Sequence, residues 1–172
     1  KARRALEPFV RVSSVSVSEV QKTLPPGAAL VFHILARHSL YAFVVTSTRS
    51  NVQVAAFERD RVFDLAREYV DLLALRDSFT DSSRSQQVAI DQRLHEVNGP
   101  LYQAFIRPIE NAISDVPNIL VILPRELPWF PLHALNRGVL PGTGYLAEQH
   151  TISYLPSATS VLLQRAQQRP VK

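Results

Sequence analysis

The chain has 172 residues, 46% hydrophobic and 20% charged, a length and composition that suit one globular domain of ~100–200 residues. No apolar run approaches the ~18 residues of a membrane span, and the start KARRALEPF carries no signal-peptide core. The absence of Cys excludes a disulfide scaffold and thiol catalysis by these residues, and the net charge of +4 is scattered arginine without interleaved aromatics, which reads as solvated surface and disfavours a nucleic-acid partner.

Residues 1–28 read as a lead-in. Val12, Val15 and Val17 alternate with serines as a short extended segment would, whereas Ser18, Glu19, Val20 and Leu24 suit a short capped helix over 18–24. Pro25-Pro26-Gly27 ends whatever precedes it. Residues 29–37 and 40–48 predict a hairpin about His38-Ser39. Residues 51–57, with Val52, Val54 and Ala56 alternating, add a third strand, so the expectation is an antiparallel meander. The period then changes: over 60–77, Val62, Ala66, Tyr69, Val70 and Leu73 recur at helical spacing, with Asp60 placed to cap and Arg67 to pair with Asp71. The Ser-rich stretch 78–85 reads as an exposed loop. A helix over 86–97, with Val88, Leu94 and Val97 on one side, is expected to stop at Asn98-Gly99. Pro100 then opens another, 100–114, with the buried stripe Leu101, Phe105, Ile109 and Ile113, in which Pro108 predicts a kink or an end.

Residues 118–123 lack a polar face, so they predict a central strand covered on both sides, with Leu120 and Ile122 fully buried. Pro124 has no N–H for a ladder and marks the strand's end, which in α/β sheets is where sites are built. A polar corner, Arg125-Glu126, and the cluster Leu127, Pro128, Trp129, Phe130 and Pro131 follow. Residues 136–144 hold three of the five glycines and read as a loop. Residues 149–155 alternate through His150, Ile152 and Tyr154 as a strand, and Pro156-Ser157 leads into a last helix, 158–168.

The elements together predict an α/β fold: a mixed sheet with an antiparallel N-terminal meander, a central buried strand and flanking helices, the lead-in 1–28 preceding a unit over 29–172. None of the five histidines falls in a metal-ligand pair, and His33 and His150 read as structural histidines on strands. Ser157 has no nucleophile elbow around it and reads as a helix cap. Gly142-Thr143-Gly144 lacks the Lys-Ser/Thr of a phosphate loop, and no carboxylates pair for acid–base work. No catalytic, cofactor-binding or metal-binding residue is expected. What remains is a cleft or interaction corner made of Arg125, Trp129 and His133, with Trp129 read first as a core or corner aromatic.

Pro124, Leu127, Pro131, Ala134 and Leu135 fit the pattern Pro-x-x-x-Leu-x-x-x-Pro-x-x-Ala-Leu, which resembles a segment of the CHAT peptidases, relatives of caspases and separases. Leu24–Val31 and Leu40–Thr46 resemble the family's first two strands, and Leu101-Tyr102 with Pro108 its helix before the central strand. Tyr145–Glu148 and Ile152–Thr159 resemble the strand and capped helix after it, so the ordered set spans about residues 24–163. Glu126, Leu127 and Pro128 stand where the family often has Gly-x-Leu-His. The resemblance implies a caspase-like fold, here its N-terminal, non-catalytic half, and places the family's catalytic His and Cys beyond Lys172. It implies a parent cysteine endopeptidase that cleaves protein partners when a sensor module is triggered, without a cofactor. The implied partners are the C-terminal catalytic half, upstream helical TPR repeats and the protein substrate. With no Met and a start at Lys1, the chain is expected to be a piece of a longer polypeptide, cytoplasmic and capable of forming a homodimer. The alternatives are a stand-alone interaction module that docks through a sheet edge and an Arg-rich nucleic-acid binder.

Overall fold

The computed structural model describes residues 15–78, 84–138 and 144–167. Val12, most of the expected Ser-rich loop (79–83) and part of the expected glycine loop (139–143) lie outside them. Helix α1, Val17–Thr23, is capped by Ser16, two residues before the expected Ser18 cap, because Ser16 and Glu19 form a capping box. The Glu19 N–H donates to Ser16 Oγ at 3.3 Å, and the Ser16 N–H donates to Glu19 Oε2 at 2.8 Å. Gly27, at φ +74°, then turns the chain into the sheet, a conformation that penalises any Cβ.

Strands β1 (Ala28–Leu35), β2 (Ser39–Thr46) and β3 (Ser50–Ala56) form the expected meander. Strands β4 (Asn118–Ile122) and β5 (Thr151–Tyr154) add to it in parallel, giving the order β3-β2-β1-β4-β5. The central position therefore belongs to β1, and β4 is the interior strand beside it. Alternation gives the sheet two faces. Ala29, Val31, Leu40, Val44, Ile119 and Val121 face the main core, under helices α2 (Arg59–Ser78) and α3 (Arg84–Phe105). Leu30, Val45 and Ile122 face a smaller core, under α1 and the last helix, α6 (Thr159–Gln167).

The expected interruption at Asn98-Gly99 is corrected by the structure, since α3 runs through it without a break. Gly99 does not adopt the left-handed conformation of a helix stop, and Asn98 is buried rather than capping. Its Nδ2 donates to the Asn136 carbonyl at 2.8 Å and to Asn136 Oδ1 at 3.0 Å, while its Oδ1 accepts from the Asn136 N–H at 3.0 Å. Pro100 removes one ladder bond, offset by burying Val97, Leu101 and Phe105 in the main core. The helix ends where Pro108 demands it: the Ile106 and Arg107 N–H groups share the Tyr102 carbonyl at 2.9 Å, and a short helix, α4 (Glu110–Ile113), follows. The stripe Leu101, Phe105, Ile109 and Ile113 is buried as expected.

Helix α2 starts at Arg59, so Asp60 lies in its first turn. Arg67–Asp71 is not among the ion pairs of the described residues; Arg93–Glu68 at 2.5 Å and Arg76–Asp91 at 3.2 Å bind α2 to α3 instead. On β4, Ile119 and Val121 are fully buried and Ile122 nearly so, but Leu120 is only half-buried, which corrects the expectation for that residue. A 3₁₀ turn (Leu132–Ala134) and a short helix, α5 (Leu146–Gln149), fill the β4–β5 connection. Tyr145–Glu148 is thus a helical start rather than a strand, held by the Leu146 N–H on the Leu135 carbonyl at 2.9 Å. No helix among the described residues is long and apolar enough to cross a membrane.

Candidate functional site

The chain leaves β1 toward β2 on one side and leaves β4 toward β5 on the other. Loops that diverge in this way open a crevice beyond the C-terminal ends of neighbouring parallel strands. A crevice of about 650 Å³ lies there. Its walls come from the ends of β1 (Phe32 to Leu35), β4 (Ile122 to Glu126) and β5 (Tyr154 to Pro156). The walls are largely apolar. Ile34, 43% exposed, and Tyr154, 42% exposed, are large hydrophobic side chains open to solvent there.

Two ionic side chains line the crevice. Glu126 is engaged by Arg59, whose Nη2 donates to its carboxylate at 3.2 Å. Arg125 is exposed and has no ionic or hydrogen-bonding partner among the described residues. Beneath them His33 is fully buried, with Nε2 at 3.2 Å from the Phe105 carbonyl, so Nε2 carries the proton and donates. Burial pushes its pKa down to about 4, and Nδ1 is left without a partner. A neutral imidazole sealed in this way is a structural group, as the sequence suggested for His33. His150 is also buried, with Nδ1 2.7 Å from the Val116 carbonyl.

The three residues of the expected corner are not gathered into one site. Arg125 lines the crevice; Trp129, 44% exposed, stands on the same loop but not among the lining residues. His133 lies on the other flank of Tyr154, whose hydroxyl it meets through Nδ1 at 2.8 Å and through its own N–H at 3.1 Å. This bond fixes the Tyr154 ring against the crevice, and burial raises the phenol's pKa. Ser157 is exposed, with its carbonyl accepting from the Ser160 N–H at 3.1 Å and no imidazole bonded to its hydroxyl among the described residues. No group of side chains among the described residues has the make-up to hold a metal ion. Ile34, Leu35 and Tyr154 are the site residues that sequence reasoning missed. The only sequence signal for them was their position at strand ends.

Comparison with known proteins supports the resemblance read from the sequence: residues 95–172 match the family model described as the CHAT domain. The match runs from within α3 to the end of the chain and includes the β4 and β5 walls of the crevice. No curated protein matches the chain.

Proposed function

We propose, from the premise that residues 95–172 carry the CHAT match, that this chain is the non-catalytic N-terminal part of a caspase-like cysteine endopeptidase. The observation that carries the reading is a crevice in the usual place for a site, in a chain with no Cys, whose one lining imidazole, His33, is buried, neutral and bonded to backbone. The crevice has binding surface without a nucleophile–base pair. On this reading the chain supplies a sheet and helices to a catalytic half that packs beside it. The parent then cleaves a protein partner in the cytoplasm when a sensor module, attached through upstream helical repeats, is triggered. The ion pairs of Arg49, Arg59, Arg76, Arg93, Arg107 and Arg137 favour this over a nucleic-acid surface, because those charges are already matched by carboxylates.

The test is reconstitution. The purified chain is expected to cleave no member of a fluorogenic peptide library, and to form a complex with the separately expressed C-terminal half that does. Cleavage by the chain alone, abolished by changing one of its own residues, overturns the proposal. A second reading, a stand-alone interaction module, is favoured by the apolar walls of the crevice and by Arg125, which has no partner among the described residues. A monomer with no affinity for the C-terminal half would select it.

A further inference from the structure

The β1 edge beside the crevice is an unfinished ladder. The Ala36 N–H bonds the Ser39 carbonyl at 2.9 Å, and the Asn118 N–H bonds the Gly27 carbonyl at 3.2 Å. With backbone groups alternating along a strand, residues 29, 31, 33 and 35 thus turn their N–H and C=O toward β4. The β1–β4 register ends at Phe32 opposite Ile122. The next donor in the parallel pattern is the N–H of residue 124, aimed at the His33 carbonyl, and residue 124 is proline. The ladder stops for want of that hydrogen. Both backbone groups of Leu35 therefore face the crevice with no backbone partner among the described residues, and the His33 carbonyl, fully buried beneath, has none either.

We propose that the crevice binds an extended peptide segment of a protein partner, added as a short strand along residues 33–35 beyond the end of β4, with an acidic side chain of that segment paired to Arg125. Main-chain bonds to the Leu35 N–H and carbonyl would supply affinity, as in other strand additions to a free edge. Alternate side chains of the added strand point to opposite faces. Its apolar ones meet Ile34 on one face and the Tyr154 ring on the other, both half open to solvent. Charge sets the specificity: Glu126 is occupied by Arg59, so the unmatched charge in the crevice is the Arg125 guanidinium, which selects a carboxylate. This inference rests on the reading of the crevice as a binding rather than a catalytic site.

The probe is a fluorescein-labelled, end-blocked octapeptide alternating valine and glutamate, titrated with the purified chain by fluorescence anisotropy. Saturable binding is expected, at least ~10-fold tighter than for the matching valine–lysine peptide and weakening with salt. Arg125→Glu, at an exposed position where the fold should not suffer, is expected to lose at least ~10-fold for the glutamate peptide and to gain affinity for the lysine peptide. N-methylation of alternate peptide nitrogens on the bonding edge is expected to lose a similar factor. The proposal is overturned by absence of saturable binding, by equal binding of the two peptides, by indifference to Arg125→Glu in a variant that melts like wild type, or by indifference to N-methylation. The reconstitution experiment stands apart from these arms: cleavage restored with the C-terminal half, without peptide binding, removes this inference and leaves the proposed function in place.

Discussion

His33 ties a single side chain to the stability of the whole fold. It stands near the end of β1 on the face under α3, where its Nε2–H satisfies the carbonyl of Phe105, the last residue of that helix. Complete burial holds its pKa at about 4, against 6.5 for an ordinary imidazole, so the unfolded chain takes up a proton in a range where the folded chain does not. Stability is then full above about pH 6.5, falls as pH drops toward 4 and levels off below it; the full effect is about 3 kcal/mol. His33→Leu abolishes this dependence and strands the Phe105 carbonyl, at a cost of ~1–3 kcal/mol at neutral pH. Urea melts at pH 7 and pH 4.5 are expected to show the wild-type advantage shrinking by about 2 kcal/mol. An advantage that is constant with pH would show that His33 is not what titrates. His133 is the counter-case: a histidine in a suggestive motif that proves to be the partner of the Tyr154 hydroxyl, a role that only the packing of the β4–β5 connection against β5 could reveal.

Among the elements, β4 separates what composition tells from what neighbours decide. Its apolar run announced a central strand closed off by Pro124; what forms is an interior strand beside the central β1, ending at Ile122. The run is blind to which face has the deeper cover. Ile119 and Val121 lie under α2 and α3, whereas Leu120 looks toward the shorter helices α1 and α6 and is only half-buried. Ile119→Ala is expected to cost ~2–5 kcal/mol, with Leu120→Ala distinctly less, read from denaturant midpoints at unchanged slope. Equal costs would mean that the two faces are equally well packed. The meander and the stripe of α3 were legible for the same reason: period 2 and period 3.6 follow directly from backbone geometry. The false stop at Asn98-Gly99 was not, because Asn98 gains more from its three bonds to Asn136, 38 residues away, than from ending a helix. The crevice was half legible. Pro124 and Arg125 marked its rim in the sequence, but the unpaired edge at Leu35 depends on the β1–β4 register, which no local pattern encodes.

Viewed as a whole, the sheet is unevenly covered. On the α1 and α6 face, the row Ile34, Tyr41 and Val54 and the row Phe32, Phe43 and Val52 lie opposite one another across β1, β2 and β3. Val52, Val54 and Ile34 are exposed, while Phe32 and Phe43 stack at 6.0 Å and stay half-buried. The patch adjoins β3, an outer strand of seven residues, SNVQVAA, that contains neither a charge nor a proline. Natural edges are usually blunted by lysine, proline or a bulge, and an unblunted edge beside an apolar face invites pairing with another chain. The β5 edge is shorter, four residues, and Pro156 stands two residues past its end. Self-association of the isolated chain is therefore expected to run through β3 and its face rather than through β5. Light scattering at micromolar concentration is expected to show species larger than a monomer. Val54→Lys, which puts a charge on the exposed row without disturbing the buried core, is expected to return the chain to monomer, and Ser153→Lys on β5 to leave its association unchanged. The reverse pattern would place the sticky edge at β5. A clean monomer at all concentrations would mean that the exposed apolar rows are too small to drive association by themselves.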